Sequence, residues 1–310
     1  MFDYKYFGRN RLSIHQNMAL EEYTLNESAL HNIATIRFWE VDRDSAVIGY
    51  GESKSNILKE DKSFDLARRI TGGSHVQFDR NCLAYSFTVP RDGSFKHFED
   101  MRKFFAEKVT NALIGLGING AEADNRASTI NVDRKVMASH AIFWGVESAL
   151  LHGLILVDHY DVDSIIERML LKERKIGRHT YAEYDALKGM PVAKELINSV
   201  PFGIDEDKRL GYVKSMICKS ILSEVAEGRY KVEGIDDYAI NNAMKLAEAR
   251  HVGRPWVEKR YPTYGKEEVE AIPGEELDGG LKKDLGYCMY IEVPDKDFSK
   301  MALPKEELRE

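Results

Sequence analysis

The sequence predicts an α/β (α+β) fold, a mixed β-sheet packed with helices. Three observations carry that prediction. Short β-rich runs recur through the first half of the chain, and longer stretches show apolar residues at helical spacing. The two kinds mingle without a strict strand–helix–strand rhythm, which argues against a purely parallel sheet.

In chain order, Ile14, Met18, Tyr23 and Leu25 place an amphipathic helix over 14–29. Two β-rich runs follow, 33–39 and 45–49, joined by a polar turn at Asp42–Asp44. Residues 74–79 and 82–89 read as another pair of strands, the second closed by Pro90. Phe98, Met101, Phe105, Val109, Ala112 and Leu116 predict a helix over 97–117, with Gly117 and Gly120 as its stop. Strands are expected at 128–132, 135–143 and 149–157, and helices at 162–172, 208–227 and 236–250. The stretch 261–286 is rich in Gly, Pro, Lys and Glu and reads as a linker, followed by an isolated strand candidate at 287–293. Residues 1–260 are therefore expected to form one catalytic-sized domain. Residues 261–310 are too few and too polar for a second domain with its own core.

Composition narrows the function. The formal net charge of −7 leaves no cationic excess for a polyphosphate, so nucleic acid is a poor partner, although a local basic pocket for one phosphate remains open. Cys82, Cys218 and Cys288 lie far apart without CxxC spacing, which fits a reducing compartment and no structural zinc. The longest apolar run, 149–157, is interrupted by His152 and is too short to span a bilayer, and residues 1–11 carry no apolar leader core. A soluble, cytoplasmic protein is expected. The histidines show no HxH or HExxH spacing, so no protein-bound metal is expected.

Three constellations could carry chemistry. In Arg68-Arg69-Ile70-Thr71-Gly72-Gly73-Ser74-His75, the glycines allow close backbone approach to an anion and an arginine adds a charged fork. On local pattern alone, a tight turn flanked by surface arginines is the simpler reading. In Asp133-Arg134-Lys135-Val136, a lysine at the start of an apolar strand is either solvated or poised between two anions. In Leu151-His152-Gly153-Leu154, a polar residue and a glycine interrupt a buried strand. That marks either a satisfied core histidine beside a bulge, or a place where a ligand comes close.

Taken in order, these segments resemble the lipoate–protein ligase family, whose catalytic fold is shared with biotin–protein ligases and octanoyltransferases. The resemblance covers residues 10–260. It begins with Asn17-Met18-Ala19-Leu20-Glu21-Glu22 and Ser45-Ala46-Val47-Ile48-Gly49, continues through the three constellations, and closes with Tyr238 to Trp256. It implies an ATP-dependent ligase that converts lipoate or octanoate, with Mg²⁺, to an acyl-adenylate. The acyl group then passes to a lysine of a lipoyl carrier, either the lipoyl domain of a 2-oxoacid dehydrogenase acyltransferase or the glycine cleavage H protein. By position, Arg69, Ser74, His75, Val76 and Gln77 would hold ATP and the adenylate. Gly72, Gly73, His152 and Gly153 would line the lipoate pocket, and Lys135 would contact both and act as the catalytic residue.

Departures from the family pattern cluster on the same surfaces. Ser74 stands where a third glycine is common, His75 where a small residue is, Glu52 where a glutamine is, and Met137-Ala138-Ser139-His140 where a Gly-containing segment is. They keep an alternative open, a catalytically degenerate homologue acting as a binding or regulatory subunit. An octanoyltransferase working without ATP is a further alternative, but it would need a reactive cysteine near the acyl pocket. Biotin ligation ranks below. Because many relatives carry an accessory C-terminal domain, a separate accessory protein is a possible partner.

Overall fold

The computed structural model describes residues 2–52, 64–158, 175–176, 179–180, 206–235, 237–251 and 256–257. The helix expected at 162–172, the polar stretch 261–286 and the strand expected at 287–293 lie outside these residues.

The chain opens with β1 (Tyr4–Leu12) and α1 (Ile14–His31). Ser13 and Gln16 start α1 reciprocally: Ser13 Oγ accepts from the Gln16 amide (3.3 Å) and Gln16 Oε1 accepts from the Ser13 amide (3.0 Å). β2 (Ala34–Val41), β3 (Ser45–Ile48), β4 (Asp65–Arg68), β5 (Val76–Phe78) and β6 (Cys82–Pro90) follow. α2 (Phe98–Gly115) ends as expected at Gly117, whose φ of +86° lets the Ile118 amide reach back to Leu113 O at 3.1 Å. Then come β7 (Ala121–Asp124), β8 (Thr129–Val132), β9 (Lys135–Trp144) and β10 (Ser148–Leu156). A short pair, β11 (Lys175–Ile176) and β12 (His179–Thr180), precedes α3 (Glu206–Ala226), β13 (Tyr230–Val232) and α4 (Asp237–Leu246). A π-helical turn, Ala247–His251, closes α4.

Among the described residues, eight strands form one sheet in the order β13-β1-β2-β6-β10-β9-β8-β7. β13, β1 and β2 run parallel and the remaining neighbours antiparallel, so the sheet is mixed. A second, three-stranded sheet has the order β4-β3-β5. The runs expected as two strand pairs are split between the sheets. β2 already has β1 and β6 on its edges, so the chain leaves at Asp42–Asp44 and β3 starts the second layer. β5 and β6 part in the same way.

Two cores sandwich the large sheet. On one face Phe38, Phe87 and Leu151 pack against Met101 and Phe105 of α2 and Ile217 of α3. On the other, Trp39, Leu150 and Leu154 meet Met18 of α1 and the small sheet, with Trp256 in the same cluster. Stacked rings of Trp39 and Phe78, 5.0 Å between centroids, tie the two sheets together. Strand alternation therefore gives β10 two readings: Leu150, His152 and Leu154 look toward α1, while Leu151, Gly153 and Ile155 look toward α2. No helix among the described residues is long and apolar enough to cross a membrane.

Candidate active site

The glycine run is shaped by its two arginines, both of them buried. Arg69 Nη2 donates to Gly72 O and Ser74 O, each at 2.7 Å, and Arg69 Nε donates to Thr71 Oγ1 at 2.9 Å. These bonds curl the backbone of residues 71–74 around the guanidinium. Burial pulls the Arg69 pKa down to about 10, against the nearby carboxylates of Glu52 and Glu21, so it stays charged at neutral pH. Arg68 acts on a wider scale. It donates to Gly49 O (2.8 Å), Tyr50 O (2.9 Å) and Glu52 O (2.7 Å), and on its other side to Val257 O (2.6 Å) and Trp256 O (3.1 Å). Trp256 Nε1 returns a bond to Arg68 O at 2.9 Å.

The glycines are used at a crossing. A Cβ on Gly49 would lie 1.8 Å from Gly73 O, and Gly73 itself has φ +89°. Only glycine fits either position. In the following stretch His75 and Gln77 turn inward, while Ser74 and Val76 are half-buried. His75 Nδ1 lies 2.9 Å from Glu52 Oε1, so two of the positions that depart from the family pattern touch each other. His75 Nε2 is buried without a hydrogen-bond partner among the described residues.

Across the gap stands His152 of β10. Its Nε2 is 2.7 Å from Thr71 Oγ1 and its Nδ1 is 2.7 Å from Glu21 Oε2 of α1. Ser86 Oγ of β6 donates to Glu21 Oε1 (2.7 Å) and accepts from Trp39 Nε1 of β2 (2.9 Å). Burial alone would raise the Glu21 carboxyl, but the charge and hydrogen bond of His152, with Arg37 and Ser86, outweigh it and hold it below the ordinary range. Glu21 is thus an ionised carboxylate in the core. Arg69 has only donors, so Thr71 Oγ1 accepts from it, and the Glu21 carboxylate has only acceptors, so His152 Nδ1 donates to it.

Lys135 opens β9, next to β10, after a tight turn in which Asp133 and Arg134 have φ of 50° and 65°. It is half-buried, and its amine has no hydrogen-bond or ion-pair partner among the described residues. Gly153 lies on the other face: a Cβ there would meet Tyr85 Cζ at 2.2 Å and Ser139 O at 2.7 Å. The space beside it holds the Tyr85 ring. The structure therefore brings Arg69, Gly72 and His152 into one bonded cluster through Thr71, with Ser74 joined through its carbonyl and Gly73 lying in the loop between them. His75 sits behind them with Glu52.

Sequence reasoning missed Thr71, Glu21, Ser86 and Trp39. Thr71 and Glu21 lie inside the motifs that pointed to the site, and a buried glutamate on an apolar helix face was a readable signal. Ser86 and Trp39 carried none.

A mixed sheet backed by helices is the fold of the lipoate–protein ligase catalytic domains that this chain resembles. Residues 13–185 match the lipoyl protein ligase A/B catalytic domain, and the chain belongs to that family. Among its relatives, lipoate–protein ligase 1 of Staphylococcus aureus is 24% identical over 82% of this chain and 73% of its own length. Lipoate-protein ligase LplJ of Bacillus subtilis is 22% identical over 87% of this chain and 78% of its own. The crystal structure of an ATP-bound lipoate-protein ligase A superposes with a TM-score of 0.64 at 18% identity, covering 83% of this chain and 99% of that one. The bipartite ligase of Thermoplasma acidophilum, solved with its E2 lipoyl domain, gives 0.63 at 20%, covering 81% and 96%. At such identities the structural likeness shows the fold.

Proposed function

We propose that this chain is a lipoate–protein ligase that activates lipoate or octanoate with ATP and transfers the acyl group to a lysine of a lipoyl carrier domain. The observation that carries the proposal is the buried, bonded cluster joining the glycine run to His152, beside the strand that begins at Lys135, whose amine has no partner among the described residues. Relatives named as lipoate–protein ligases over most of the chain support it, as do solved neighbours of the same fold described with bound ATP and with bound lipoic acid.

In this reading the acid's carboxylate attacks the α-phosphate of ATP and pyrophosphate leaves. Two anions must approach each other, and the Lys135 ammonium, placed between them, offsets that repulsion and steadies the charge on the phosphorus oxygens. Gly72, Gly73 and His152 line the acyl side, with Gly153 contributing backbone alone. The stretch 74–77 and the loop held by Arg69 present backbone and side-chain groups to the adenylate. Mg²⁺ arrives with the triphosphate, keeping much of its water. A carrier lysine then attacks the mixed anhydride and releases AMP. The lipoyl domain of a 2-oxoacid dehydrogenase acyltransferase and the glycine cleavage H protein are the carriers to try, with and without a separate accessory protein.

A cysteine-based acyl transfer is disfavoured by the described thiols. Burial, then the Asp79 carboxylate, pushes Cys82 well up, and burial pushes Cys218 to about 12, so neither supplies a thiolate.

The test is the intact mass of a lipoyl domain after incubation with the protein, lipoate, ATP and Mg²⁺, beside Lys135→Ala. A lipoyl-sized gain that needs ATP and Lys135 supports the ligase. A gain without ATP points to a transferase. No gain, with or without candidate accessory proteins, sinks the ligase and leaves a binding subunit.

A further inference from the structure

The bonds around His152 form a continuous chain across the site. It runs from the Arg69 guanidinium through Thr71 Oγ1 to His152, then through Glu21 and Ser86 to the Trp39 indole, with every link between 2.7 and 2.9 Å. Thr71 is fully buried, Glu21 and Trp39 are 1% exposed, and His152 is 7% exposed. Arg69, at one end, is assigned above to the nucleotide, and His152, in the middle, to the acyl chain. Thr71 is the joint between them: its hydroxyl meets both Arg69 and His152, and its carbonyl accepts from the Tyr50 amide at 2.8 Å.

A rigid imidazole held at both nitrogens cannot absorb a displacement by stretching. If Arg69 and the stretch 74–77 shift to receive phosphate, Thr71 shifts with Arg69 and the ring turns about its anchor on Glu21. If an acid settles against the ring, the same bond pulls on Thr71. A buried polar chain with every member satisfied has few alternative arrangements, so a movement at one end is transmitted rather than dissipated.

We propose that the Thr71–His152 hydrogen bond couples the acyl and nucleotide subsites, with Thr71 and Glu21 as positioning residues that hold His152 between them. The inference rests on the ligase reading. It goes beyond that reading in assigning the synergy between the two substrates to one bond. Since coupling of binding is reciprocal, lipoate tightens nucleotide binding by the same factor as nucleotide tightens lipoate binding.

The experiment is calorimetric titration of the full chain with the Mg²⁺ complex of α,β-methylene-ATP, whose α–β bridge cannot be cleaved to transfer the adenylyl group, with and without saturating lipoate. The wild type is expected to bind the analogue on the order of tenfold more tightly with lipoate present. Thr71→Val keeps the shape but loses the hydroxyl, and its ratio should fall close to one while each ligand still binds alone. Thr71→Ser restores the hydroxyl and should restore the ratio. A thermal melt of each variant checks folding, and Thr71→Ala replaces the valine variant should that one not fold. A merely structural Thr71 would lower the melting temperature and leave the ratio untouched, and that result overturns the inference. Separate binding of both ligands to wild type without synergy also overturns it, while leaving the ligase reading intact. Failure of wild type to bind either ligand removes the ligase reading and the inference together.

Discussion

The two faces of strand β10 treat buried polar groups in opposite ways. Toward α1, His152 has a partner at each ring nitrogen, and its neighbours Glu21, Ser86 and Thr71 are tied into the same chain. Toward α2, one residue further along, Gly153 makes room for Tyr85, and across on β9 stands His140. Among the described residues, the Tyr85 hydroxyl and both His140 nitrogens are buried without a partner, as is Nε of the adjacent Arg102. The contrast separates two uses of a core. Satisfied polar groups define one geometry and are strongly missed when one is removed. Unsatisfied ones contribute packing at a standing cost.

Four substitutions or titrations sharpen or break this comparison. The largest effect belongs to Glu21→Ala, which removes one partner each from His152 and Ser86 and the counter-charge of the buried Arg37; a loss of about 3–5 kcal/mol is expected in urea unfolding. A loss under about 1 kcal/mol would mean the chain of bonds adds little to stability. Gly153→Ala comes next, because its new methyl meets the Tyr85 ring and the Ser139 carbonyl, at a cost of about 1–3 kcal/mol by the same measurement.

The third is a pH effect. Burial, then Arg102 and His152, pushes His140 down to about 3 from its ordinary 6.5, so the folded protein keeps it neutral where the unfolded chain would protonate it. Stability should therefore fall as pH drops below about 6.5, by at most about 1.4 kcal/mol per unit from this group, until His140 titrates in the folded state near 3. His140→Gln should flatten that slope between pH 6 and 5, where Glu21 stays ionised; an unchanged slope assigns it to other groups. The smallest effect is Tyr85→Phe. Removing a hydroxyl that bonds to nothing among the described residues should move stability by less than about 1 kcal/mol, in either direction. A cost of several kcal/mol would reveal a partner for that hydroxyl and erase the contrast.

How far the fold was legible depends on where each element sits. The buried strands β2, β6 and β10 and the capped helices declared themselves through runs and periods of apolar residues. β1 did not, because Gly8 at φ +79° and a register shift between Tyr6 and Arg9 break its alternation. β13 is exposed at all three residues and β7 is partly exposed, and edge strands carry little apolar signal. Pairing was harder than existence. β2 and β3 are adjacent in sequence yet belong to different sheets, which no local pattern encodes. At the site, Arg69, the two glycines and His152 were legible as motif residues because local chemistry marks them. Their mutual bonds were not, since Thr71 and His152 are 81 positions apart and Glu21 and His152 are 131.

The arrangement around Arg68 has a practical meaning for anyone trimming the chain. Trp256 and Val257 stand nearly two hundred positions from Arg68, yet their carbonyls take up one side of its guanidinium. A fragment stopping at residue 255 would keep the entire large sheet and look complete by its strands. It would nevertheless carry a sealed-in cation stripped of those acceptors, directly beneath the loop that Gly49 and Gly73 share. One arginine's hydrogen bonds thus carry this domain at least as far as Val257.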